Sequence, residues 1–131
     1  MVHTRTEILL KFKKLLTDFC KELIDQFPSE ADFQLAKVIL DSQQIPIQRM
    51  MNSFIKHMNK DDKLIRKMVD TKNELFFTEE NPFGFMSNSR FDKFSQIWKS
   101  GVLDDEDKAV LWTWIETFVK LSDKYSECEV D

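Results

Sequence analysis

Residues 8–24 read ILLKFKKLLTDFCKELI. Ile8, Phe12, Leu15, Leu16, Phe19, Leu23 and Ile24 recur at helical steps, which puts them on one face of a helix. Lys11, Lys14, Lys21 and Glu22 fall on the other side. Just upstream, Thr4 and Glu7 have the spacing at which a hydroxyl and a carboxylate satisfy the orphan amides of a first turn. Downstream, Phe27-Pro28 ends the helix, because the residue before a proline is pushed out of the α region.

The same period recurs along the chain. Ser29-Glu30-Ala31-Asp32 caps a shorter helix carrying Phe33, Ala36, Val38, Ile39 and Leu40, with acids where the helix dipole favours them. Pro46 suits the first turn of a third helix, in which Ile47, Met50, Met51, Phe54, Ile55 and Met58 alternate steps of three and one. Asn59 or Asp61 can cap a continuation with Leu64, Ile65, Met68 and Val69, either separate from the third helix or joined to it. Between Thr71 and Asn88 the period is lost, although Phe76, Phe77, Phe83 and Phe85 are large and apolar. Pro82 and Gly84 mark a turn there. Phe91, Phe94, Ile97 and Trp98 then share a side, Ser100-Gly101 is a stop, and Asp104 with Asp107 opens the last helix. Leu111, Trp114, Ile115, Phe118, Leu121 and Tyr125 form its inner face, while Val110, Trp112 and Val119 spread apolarity round the circumference. A helix so apolar is central or covered by a partner. The expectation is one all-α domain over residues 1–126, a compact bundle of five or six amphipathic helices. It has one irregular packed loop near 71–88 and an acidic frayed tail over 127–131.

A chain of 131 residues has room for one such core. Hydrophobic residues at 42% and charged residues at 32% exclude disorder by composition, and two glycines with three prolines exclude turn-rich all-β folds. No apolar run approaches the roughly 18 residues that span a bilayer, so no membrane association is expected. The opening Met-Val-His-Thr-Arg-Thr-Glu has no small-residue cleavage site after its apolar stretch, so no signal peptide is expected. Two cysteines provide no stapled framework. An intracellular, cytoplasmic compartment follows, with Cys20 a small buried apolar group.

The residue types give little chemistry. His3 and His57 are the only histidines, and neither has a second histidine or cysteine one turn away, as a zinc site needs. Asp104-Asp105-Glu106-Asp107 is contiguous, so its carboxylates fan around a first turn and do not converge on a cation. Gly84 and Gly101 are too far apart for a phosphate cradle, and no nucleophile motif is present. The chain is therefore expected to be no enzyme and to use no cofactor, metal or small-molecule substrate.

Two candidate interaction surfaces remain. The net charge of −4 hides a basic segment, 49–72 at +4, and an acidic one, 101–131 at −6. Lys56, Lys60, Lys63, Arg66, Lys67 and Lys72 are spaced so that several share a face opposite Leu64, Ile65 and Met68. They are the nucleic-acid candidates, although an acidic whole and a scarcity of arginine weigh against that use. The second surface is aromatic. Trp112 and Trp114 lie about 200° apart in helical projection, so one of them, or the Phe83-Gly84-Phe85 loop, is expected to face a partner. Phe83, Phe85 and Trp112 are the protein-interface candidates, with the acidic tail or the basic face steering orientation.

Ile97-Trp98-Lys99, followed by the acidic run 104–107 and the tryptophan-rich 110–115, resembles a pattern in small helical proteins of nucleocytoplasmic large DNA viruses. The resemblance spans Asn73 to Tyr125 and brings over no activity and no functional residue. A lysine-rich, phenylalanine-rich and alanine-poor composition, typical of an A/T-rich coding sequence, agrees with it. The expected function is thus a non-enzymatic interaction or accessory module, bound to another protein (host or viral) or to itself. The alternative is a nucleic-acid-associated protein using residues 56–72.

Overall fold

A computed structural model describes residues 4–42, 45–80 and 88–128, leaving the side chains of Ser89 and Arg90 aside. Among them are six α-helices and no strand: α1 Arg5–Gln26, α2 Ala31–Ser42, α3 Ile47–Asp70, α4 Leu75–Glu79, α5 Asn88–Lys99 and α6 Asp105–Glu127. This is the all-α bundle that the periodicity predicts.

The ends of the helices follow from local chemistry. The Thr4 hydroxyl accepts from the Glu7 amide at 3.1 Å, and α1 stops at Phe27, whose amide still donates to the Leu23 carbonyl. Asp104 and Asp107 form a reciprocal capping box, each carboxylate accepting from the other's amide at 2.8 and 3.3 Å. Gly101, at φ +81, carries the chain out of α5 in a conformation that costs a residue without Cβ little.

α1, α3 and α6 form the centre, each packing on the other two, with α2 folded back on α1. Phe12, Phe54 and Phe118 meet there with ring centroids 5.8 to 6.5 Å apart, and all three are at most 1% exposed. Edge-to-face contacts such as Phe12 on Phe118, at 84°, add to the burial of the rings. A second cluster joins α4 and α5 to α6: Phe77 stacks on Trp98 at 4.3 Å and meets Trp112 edge-on at 4.7 Å. α4 and α5 thus reach α6 through their rings, whereas α1 and α3 lie directly against it.

α3 is interrupted. Lys60 is extended, and Asp61, Asp62 and Lys63 all have positive φ, between 53° and 64°. Left-handed backbone costs an L-residue on the order of 1–2 kcal/mol, least for the aspartates with their short polar side chains. The two halves are therefore separate helical pieces joined by a sharp turn. The later half is fixed to α6 by a two-pronged bond from the Arg66 guanidinium to the Asp123 carboxylate, at 2.9 and 2.5 Å.

The irregular loop expected near 71–88 contains a helical turn, α4, which buries Phe76 and Phe77. Two adjacent rings on a five-residue helix leave no period for a sequence to display. Of the tail expected over 127–131, only Glu127 and Cys128 lie among the described residues, and both are ordered against the bundle. α6 runs through Glu127, and the Arg5 Nε–H donates to the Cys128 carbonyl at 2.7 Å while its guanidinium lies 5.3 Å over the Tyr125 ring.

Candidate protein-docking site

The first turns of α6 are flanked by two depressions. On one side, Asn73, Glu74, Leu75, Thr78, Trp98, Lys99 and Lys108 line a hollow of about 530 Å³. The Lys108 ammonium sits 5.0 Å over the Trp98 ring and donates to the Glu74 carboxylate at 3.2 Å. On the other side, a groove of about 130 Å³ between α1 and α6 is lined by Phe19, Glu22, Leu23, Gln26, Asp107, Val110 and Leu111.

Three of the exposed apolar residues lie here. Leu75 is 52% exposed, Val102 67% and Val110 45%. Leu75 lines the wide hollow and Val110 the narrow groove, and Val102 lies in the connection leading into α6. Leu10 on α1, Leu35 and Val38 on α2 and Leu64 on α3 are also exposed, but none of them lines a described depression. Apolar residues beside hollows with a few polar groups are the usual composition of a binding surface, whereas isolated ones are ordinary.

Trp112, an expected partner contact, faces inward. It is 6% exposed and enclosed by Phe76, Phe77 and Trp98. Trp114 also turns into the protein, half-buried against Phe19, its indole N–H donating to Glu22 at 2.5 Å. The 200° between them is accommodated because α6 has neighbours on opposite sides, α1 on one and the α4–α5 rings on the other. Phe83 and Phe85 lie outside the described residues. Leu75, Val102 and Val110 were not singled out as contacts. The signal for Val110 was its place off the inner face of α6, while Leu75 and Val102 sit in stretches without period.

The basic candidates do not make one face. Lys56 and Lys60 precede the break in α3, while Lys63, Arg66 and Lys67 follow it, so helical spacing does not carry across. Arg66 is engaged by Asp123, and this hydrogen bond holds its pKa above the ordinary value. Leu64, expected opposite the lysines, is exposed beside them at 51%. Lys56, Lys60, Lys63, Lys67 and Lys72 are exposed.

Burial pushes the Cys20 thiol up to about 12. Burial also lowers His57, against the opposing pull of Glu80, whose carboxylate lies 3.2 Å from Nε2 but out of line for a good hydrogen bond. No three histidine, cysteine or acidic groups converge as a metal site among the described residues. No described helix is long and apolar enough to cross a membrane. Comparison with protein-family models, with curated proteins and with solved structures finds no match to this chain.

Proposed function

We propose that this protein is a non-enzymatic interaction module whose wide hollow beside α6 receives a segment of another protein, one that presents an apolar side chain next to a carboxylate. The observation that carries this reading is the exposed Leu75 beside Trp98, Lys99 and Lys108 in a hollow of about 530 Å³. An apolar anchor would cover Leu75 and the Trp98 edge. Its carboxylate would compete with Glu74, itself 61% exposed, for the Lys108 ammonium. The buried Cys20 thiol, packed as a small apolar group, supports work in a reducing cytoplasm. The arrangement of 97–115 and the A/T-like composition support an origin in a large DNA virus.

The test is affinity capture from the native cell with the parent chain, Leu75→Glu and a Lys72→Glu control. A discrete protein retained by parent and control but lost with Leu75→Glu, at unchanged melting temperature, is the expected result. Equal retention by all three would overturn the reading. The nucleic-acid alternative rests on the exposed Lys56, Lys60, Lys63 and Lys67, since Arg66 is engaged. Binding of duplex DNA at about 50 mM salt, lost on changing Lys63 and Lys67 to glutamate, would favour it instead.

A further inference from the structure

α2 and α3 both lie on α1 but not on each other. Where α2 ends at Ser42 and α3 begins at Ile47, the gap between them is a pocket of about 230 Å³. Lys13, Leu40, Ile45, Pro46, Ile47 and Met50 line it. Leu40 and Met50 are buried and belong to the core, Ile45 and Ile47 are half-buried against it, and Pro46 is exposed. Every described lining residue except Lys13 is therefore apolar, and none is aromatic.

Lys13 supplies the charge, and it is half-buried. Its neighbours have counterions: Lys14 holds Asp18 at 2.8 Å, and Lys37 holds Asp41 at 2.5 Å. The Lys13 ammonium makes no ion pair or hydrogen bond with any described residue. Asp41, next to Leu40, is the carboxylate adjacent in sequence to the lining, and Lys37 already occupies it. The first turn of α3 brings no acid, and Arg49 is exposed on that turn. The charge at this pocket is thus positive and uncompensated, and a cation beside an apolar recess gains from an anion delivered to it.

Size narrows the ligand. A cavity of about 150 Å³ takes one benzene ring, so by proportion this pocket takes roughly nine carbons. It falls short of the about 300 Å³ at which sites for drug-sized molecules begin. The unbranched, ring-free lining suits a flexible chain.

We infer that this pocket binds an aliphatic monocarboxylate of medium chain length, its chain on Leu40, Ile47 and Met50 and its carboxylate on the Lys13 ammonium. The site shares no lining residue with the two depressions beside α6 and is independent of the docking reading. A ligand there bridges α2 and α3, which otherwise meet only through α1, and so stabilises the folded chain by mass action.

Isothermal titration calorimetry of the full chain with butanoate, hexanoate, octanoate, decanoate and dodecanoate, each to about 10 mM, reads the binding. The expected result is one ligand per chain, with affinity rising about fourfold for each methylene buried and levelling off between decanoate and dodecanoate. Octylamine, which sets one ammonium against another, binds at least about tenfold more weakly than octanoate. Lys13→Gln weakens octanoate at least about tenfold and leaves octanol unchanged. Ile47→Trp fills the recess and removes both. Octanoate raises the melting temperature of the parent chain, and raises that of Lys13→Gln less. No heat with octanoate, equal octanoate affinity in parent and Lys13→Gln, equal affinity for octylamine, or several ligands per chain with no levelling off would each overturn the inference.

Discussion

The two aromatic clusters are built on different supports. Phe12, Phe54 and Phe118 come from three long helices that lie directly on one another, each stabilised by a full apolar stripe. Phe77, Trp98 and Trp112 fill a wider gap, with Phe77 on a helix of five residues. A helix so short has no stability of its own, since nucleation is unfavourable and few bonds follow it. It is held by its rings and by the Ser95 hydroxyl, which donates to the Thr78 carbonyl at 3.1 Å. The first cluster gives the bundle its permanence. The second borders the exposed hollow, where local opening is cheaper.

Substitutions separate the two. Phe118→Ala is expected to cost about 3–5 kcal/mol, the range for deleting a ring from a packed core, and to lower the denaturation midpoint of the whole chain. Phe77→Ala is expected at the lower end, about 3 kcal/mol. Hydrogen exchange should distinguish it, with protection lost first in α4 and α5 while α1 stays protected. Uniform loss of protection along the chain would abolish the distinction.

Smaller effects lie outside the clusters. Arg66→Ala should cost about 1 kcal/mol in urea unfolding, because the Asp123 partner is 43% exposed and water screens the pair. His57 adds a pH dependence. The folded chain binds its proton less tightly than the unfolded chain, whose value is near 6.5. Its contribution is thus complete above that value and lost as pH falls through it toward the lower folded value. Glu80 and Lys60 face His57 and set the size of the change. The melting temperature should fall between pH 7.5 and pH 5, and by less in His57→Gln. An equal fall in both would remove His57 from the account.

Most of the fold was legible where long stripes recur. Ile8 to Leu23 on α1, Met50 to Met58 on α3 and Leu111 to Tyr125 on α6 bury most of the residues their spacing selects, with Leu15, Ile55 and Trp114 half-buried at the margins. Capping at Thr4 and Asp104 and the stop at Gly101 were equally local and equally legible. The turn at 60–63 was legible only as one of two alternatives, a separate helix capped at Asn59 or Asp61 or a continuous one, because two aspartates and a lysine in left-handed backbone look like ordinary polar helix. That one turn decided the lysine face, splitting Lys60 from Lys67 and exposing Leu64. Trp112 illustrates the other limit: a helical projection gives its direction but not the neighbour waiting there, and two of its three ring neighbours, Phe76 and Phe77, were on the stretch without period. The proposed docking surface was legible only in part, through the excess apolarity of α6 that includes Val110.

The central claim is that this protein works by offering the surface beside the start of α6 to another protein. A photoreactive side chain placed in the native cell at position 75, and separately at position 38 on α2, tests it most directly. Both residues are exposed and apolar, at 52% and 60%, but only the first lines a described hollow. The account predicts a discrete cross-linked protein from position 75 and none from position 38. No adduct from position 75, or the same adducts from both, would contradict it.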